Sequence, residues 1–99
     1  LTNMTHYTRY EGKIENKPYL FGNRVSSFLG KKYGKPVSQE KPSGSTLISY
    51  FKNNEINILT TEYGDGYVFI QVRGNVDHMR NFGKTLKDKF GEKIKNFEM

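Results

Sequence analysis

Cysteine, tryptophan and alanine are all missing from the 99 residues of this chain. Without cysteine there is no disulfide staple and no thiolate chemistry, so stability has to come from a packed core. No apolar run approaches the roughly 20 residues that a membrane helix needs. No secretory leader pattern is present. The chain starts at Leu1, so a leader could have been removed; the expected compartment is the cytoplasm. The missing alanine accompanies abundant Lys, Asn, Tyr, Phe and Ile, the mark of an AT-rich genome. Lysine richness is therefore discounted as a functional signal. Only 34% of residues are hydrophobic, which taken alone favours disorder, yet 14% are aromatic. These rings fall on regular spacings, which argues for one small folded domain over residues 1–99.

Charge is present and lopsided. The net charge is +6. Residues 1–50 hold eight basic and three acidic residues, whereas 51–99 hold eight and seven. The excess clusters at Lys31, Lys32, Lys35 and Lys41. Such a patch attracts nucleic acid, anionic lipid or an acidic protein surface; otherwise it is a solvated helix end.

Residues 6–15 alternate weakly and predict an edge strand or an ordered arm. Asn16 reads as an N-cap and Pro18 as a first-turn residue of a helix over 18–33. Its apolar stripe is Phe21, Val25, Phe28, Leu29 and Tyr33. Gly34 and Pro36 end it, and Lys31 and Lys32 suit the negative end of its dipole. Gly22 and Gly30 inside this helix suggest close packing on a sheet. Residues 35–45 read as a polar, mobile loop. Strands follow at 46–51, 55–63 and 67–73, joined by an Asn53-Asn54 turn and a Gly64-Asp65-Gly66 hairpin. In the third of these, Val68, Ile70 and Val72 occupy one face, and Tyr67, Phe69, Gln71 and Arg73 the other. Asn75 caps a second helix with the stripe Val76, Met79, Phe82, Leu86 and Phe90, ended by Gly91. Residues 92–99 form a last strand or a tail.

The expected fold is α+β. An antiparallel sheet of three to five strands carries two helices on one face, in the central order α-β-β-β-α. The other face is open. Leu59 and Tyr63 join Tyr67, Phe69 and Arg73 there. Aromatic rings beside an arginine can stack nucleobases. Alternatively, the terminal arms or a partner subunit cover these rings.

The stretch Gly66-Tyr67-Val68-Phe69-Ile70 resembles the aromatic strand motif of RNA-recognition-motif domains. Gly66, Tyr67, Phe69 and Ile70 match it. Asp65, Val68 and Val72 depart from it, replacing a basic, a small and an aromatic residue. The resemblance covers about a quarter of the chain and implies base stacking by Tyr67 and Phe69. The α-β-β-β-α order is similar to double-stranded-RNA-binding domains and to the Alu-binding subunits of the signal recognition particle. Where the former open the second helix with lysines, this chain has Gly74-Asn75-Val76-Asp77-His78.

Catalytic signals are thin. His6 and His78 are the two histidines and make a poor metal set. Glu62 and Asp65 read as acids suited to turn geometry. The lysines at 84, 87, 89, 93 and 95 read as a solvated helix face, or as a phosphate-tracking stripe if they join the Lys31–Lys41 cluster. The expectation is thus a non-enzymatic binding module without cofactor or metal. It binds single-stranded RNA or DNA, using Tyr63, Tyr67, Phe69 and Arg73 on the open face and Lys31, Lys32, Lys35 and Lys41 for phosphates. The alternative is a protein-interaction module on the same face: an adaptor, an inhibitor or a homodimer.

Overall fold

The structure is a computed structural model that describes residues 6–14 and 24–98. Its elements run β1 (His6–Lys13), α1 (Arg24–Tyr33), β2 (Ser38–Ser43), β3 (Thr46–Lys52), β4 (Ile56–Tyr63), β5 (Tyr67–Gly74), α2 (Val76–Phe90) and β6 (Ile94–Glu98). The six strands form one sheet in the order β2-β3-β4-β5-β1-β6. Every pairing in it is antiparallel.

Alternation along the strands decides which face takes the helices. Val68, Ile70 and Val72 on β5, Ile56 and Ile58 on β4, and Phe51 on β3 are buried. Against them lie Val25 and Leu29 of α1 and Met79, Phe82, Leu86 and Phe90 of α2. Both stripes recur every three or four residues, so one side of each helix reaches the sheet. The Tyr10 ring meets Phe82 edge-on at 5.6 Å, and Phe28 meets Phe90 likewise at 5.5 Å. α2 begins where the Asn75 side chain accepts the His78 N–H at 2.9 Å. It ends where Gly91, at φ +59°, donates its N–H to the Lys87 carbonyl.

The β4–β5 hairpin forms as its glycines predict. Gly66 adopts φ +91° and donates to the Tyr63 carbonyl at 2.9 Å, while Asp65 accepts the Tyr67 N–H at 3.0 Å. Left-handed φ at this position is why the turn carries glycine. The Asn53 turn is held by a side chain: its Oδ1 accepts the N–H groups of Glu55 and Ile56 at 2.8 and 2.9 Å.

Several expectations are corrected. The sheet has six strands rather than three to five. Residues expected to form a mobile loop instead supply β2, which pairs with β3 through Ser38↔Tyr50 and Glu40↔Ile48. Every residue of β2 is exposed, so the hydrophobic alternation that reveals a strand is absent from it. β1 is no edge strand: it lies between β5 and β6. Residues 94–98 form β6, the edge strand on that side, with β2 at the opposite edge. Val76 is exposed and lies outside the α2 stripe. A Cβ on Gly30 would meet nothing, so close packing does not explain that glycine. The expectations for Asn16, Pro18, Phe21 and Gly22 lie outside the described residues.

Candidate nucleic-acid interface

With both helices on one side, the other side of the sheet is covered by no described element. β1 and β6, the segments that could have crossed it as arms, extend the sheet sideways instead. Register places its side chains in rows. Lys52, Asn57, Arg73 and Tyr7 stand abreast on β3, β4, β5 and β1. The next row is Tyr50, Leu59, Gln71, Arg9 and Phe97, and the one after is Ile48, Thr61, Phe69, Glu11 and Lys95. Neighbours within a row are about 4.8 Å apart, so adjacent side chains touch. At the hairpin end the Tyr63 and Tyr67 rings lie 6.1 Å apart.

The face is an aromatic and aliphatic field with a positive balance. Arg9, Lys13, Lys52, Arg73 and Lys95 project from it, against Glu11 and Glu40. Lys13 lies 4.0 Å from Asp65 at the hairpin, a solvent-exposed pair of small energetic value. Burial, followed by a hydrogen bond to Glu11, holds the Tyr67 phenol above its ordinary range. Tyr63 and Phe97 are exposed here, as few large apolar side chains among the described residues are. A hollow of about 220 Å³ opens among Tyr7, Tyr50, Asn57, Leu59, Gln71 and Arg73.

The structure therefore places Tyr63, Tyr67, Phe69 and Arg73 on one face, the two tyrosines at the hairpin end and Arg73 about 20 Å along β5, and adds Tyr7, Arg9, Tyr50 and Asn57, which sequence reasoning passed over. The signal for the last four was alternation: Tyr7 and Arg9 on β1, and Tyr50 and Asn57 beside Leu59, follow the parity of Phe69. The expected lysines lie elsewhere. Lys31 and Lys32 end α1, on the helix side of the sheet, and Lys35 lies in the connection to β2. Lys41 lies in β2, where the register with β3 is irregular between Glu40 and Ser43. The aromatic face and the Lys31–Lys32 pair are thus on opposite sides of the sheet.

Glu62 is the residue most misjudged from sequence. It does not serve the turn. Its side chain is 1% exposed beneath α1, and its carboxylate accepts the N–H groups of Val25 and Ser26, each at 3.2 Å. Burial raises its pKa from 4.5 to about 7, opposed by hydrogen bonds from the Ser26 hydroxyl and the two backbone N–H groups. Ser49 and Thr60 are buried on the same side, where Gln39 donates to the Ser49 hydroxyl at 2.9 Å. Glu62, Thr60 and Ser49 thus put polar groups on the helix side of β4 and β3 amid the apolar core.

Among the described residues no group of three or more His, Cys, Asp or Glu is placed to hold a metal ion. No described helix is long and apolar enough to cross a membrane. No protein-family model matches the chain, and no curated protein or solved structure matches it significantly.

Proposed function

We propose that this domain binds single-stranded nucleic acid on the uncovered face of its sheet. The observation that carries the reading is the co-location of Tyr7, Tyr50, Tyr63, Tyr67 and Phe69 with Arg9 and Arg73 on one face that no described helix covers. Rings in such a field stack on bases, each contributing roughly 1–3 kcal/mol, whatever the base. The arginines and Lys52 and Lys95 at the ends of the rows supply phosphate contacts. A single strand suits the face better than a duplex, because paired bases keep their own faces stacked and cannot reach the rings. Lys31, Lys32, Lys35 and Lys41 act in this reading only on a strand that runs beyond the sheet edge.

The test is fluorescence anisotropy with labelled single- and double-stranded RNA and DNA across a salt series, after light scattering has fixed the size of the free protein. Expected are a preference for single strands, an affinity that falls steeply with salt, and a loss of roughly 5- to 100-fold on Phe69→Ala. A dimer that buries Phe69, or the absence of binding at low salt, would overturn the reading. It would favour a protein partner on the same face.

A further inference from the structure

Two polar atoms on the uncovered face are buried without a hydrogen-bond partner: Asn57 Oδ1 and Arg9 Nε. Buried polar groups in native proteins are nearly always satisfied, so an exception marks a side chain with hydrogen-bonding capacity to spare. Asn57 lines the hollow of about 220 Å³ described above. That is smaller than the roughly 300–1,000 Å³ cleft of a drug-sized molecule and on the scale of one ring system.

The lining is specific in kind. Asn57 and Gln71 bring two carboxamides, each able to donate and accept at once. Leu59, directly opposite Gln71, gives an apolar floor. Tyr7 and Tyr50 supply rings at either side, on β1 and β3. Arg73 stands directly across from Asn57 on β5, and Lys52 directly across from it on β3. A flat heteroaromatic ring with adjacent donor and acceptor on its edge, carried next to a phosphate, complements this set. Adenine meets a carboxamide bidentately on its Hoogsteen edge: the amide oxygen accepts from the exocyclic amino group, and the amide nitrogen donates to the adjacent ring nitrogen.

We infer that the hollow around Asn57 reads one adenine of a bound single strand, with Asn57 and Gln71 on the base edge, Tyr7 and Tyr50 against its ring, and Arg73 and Lys52 on its phosphate. This inference rests on the nucleic-acid reading and deepens it. Elsewhere on the face binding is blind to sequence; here it is selective.

The experiment compares labelled oligo-A, oligo-C and oligo-U of equal length at one salt concentration. It uses the full chain and the variants Asn57→Leu and Gln71→Leu, each first checked for a native circular dichroism spectrum. Oligo-A is expected to bind about tenfold more tightly than oligo-U. Asn57→Leu should bring oligo-A down to the level of oligo-U, leaving oligo-U affinity and the salt slope unchanged. Should the variants not fold, titration of the wild-type chain with adenosine 5′-monophosphate keeps the test open. The side-chain amide resonances of Asn57 and Gln71 should then shift in the NMR spectrum. Equal affinity for the three oligomers, or nucleotide-induced shifts confined to residues elsewhere, overturns the adenine pocket and leaves the nucleic-acid surface standing. Binding of none of them overturns both.

Discussion

The carboxylate of Glu62, in the fourth strand, accepts the backbone N–H of Val25 at 3.2 Å in the first turn of α1. The same carboxylate takes the Ser26 N–H at an equal distance. Two of the four N–H groups that a helix start leaves without intrahelical partners are met from the sheet rather than from a local cap. The negative carboxylate also faces the positive end of the helix dipole. An ordinary N-cap fixes only where a helix begins; this contact fixes where it lies.

The arrangement predicts a pH dependence. The folded-state pKa of Glu62 is raised from 4.5 to about 7 by burial. Between these values the folded chain holds a proton that the unfolded chain has released. Stability should therefore fall as pH rises from about 4.5 to 7, by up to about 3 kcal/mol from this group. Glu62→Gln cannot ionise, so its urea midpoint should lose this slope. Denaturation of both proteins at several pH values between 4 and 8 measures the difference. Parallel pH profiles would show that Glu62 ionises equally in both states.

Gly12 should tolerate no side chain. A Cβ there would run into the Lys93 carbonyl and crowd the backbone of Ile94 at 2.9 Å. Neither is the flexible end of a side chain, so β1 and β6 would have to separate. That breaks the Gly12↔Ile94 pairing and pulls Ile94 from the core. Gly12→Ala is expected to cost about 3 kcal/mol or more, a large part of what a domain of this size has. Hydrogen exchange should localise the damage, with the amides of β6 losing protection first. Uniform loss of protection across the sheet would contradict this local account.

Asn75 holds the start of α2 by accepting the His78 N–H at 2.9 Å. Asn75→Ala should lower stability by about 1 kcal/mol, and Asn75→Asp by much less, because aspartate caps equally well. Thermal melts of the three proteins decide it. An alanine variant as stable as wild type would mean that water replaces the cap without loss.

What was legible in the sequence follows from how each element advertises itself. β5 and α2 alternate or repeat so regularly that Val68, Ile70 and Val72, and Met79, Phe82, Leu86 and Phe90, announce their buried sides. Their neighbours Tyr67, Phe69 and Arg73 fall on the uncovered face by the same parity. β2 was illegible because neither of its faces is buried; it is a strand by hydrogen bonding to β3 alone. Glu62 was misread for a related reason. A carboxylate beside a glycine turn resembles turn chemistry, and only the docking of α1 on β4 reveals what it accepts. The Asn57 hollow needs four strands in register, which no local pattern encodes.

The separation of cations across the sheet yields the last prediction. If phosphates follow the uncovered face, Arg9 and Arg73 are within reach of a strand stacked on Phe69, since both share its parity on neighbouring β1 and β5. Lys31 and Lys32 are not, because α1 lies behind the sheet. Arg73→Gln should reduce affinity for every single-stranded sequence and flatten the salt slope by about one counterion. The double change Lys31→Glu and Lys32→Glu removes more positive charge, yet should alter the slope less. Both variants change exposed side chains, so stability should vary by no more than about 0.5 kcal/mol in either. A larger loss of slope from the lysine pair than from Arg73 would move the phosphate path to the helix layer and take the sheet face out of the binding surface.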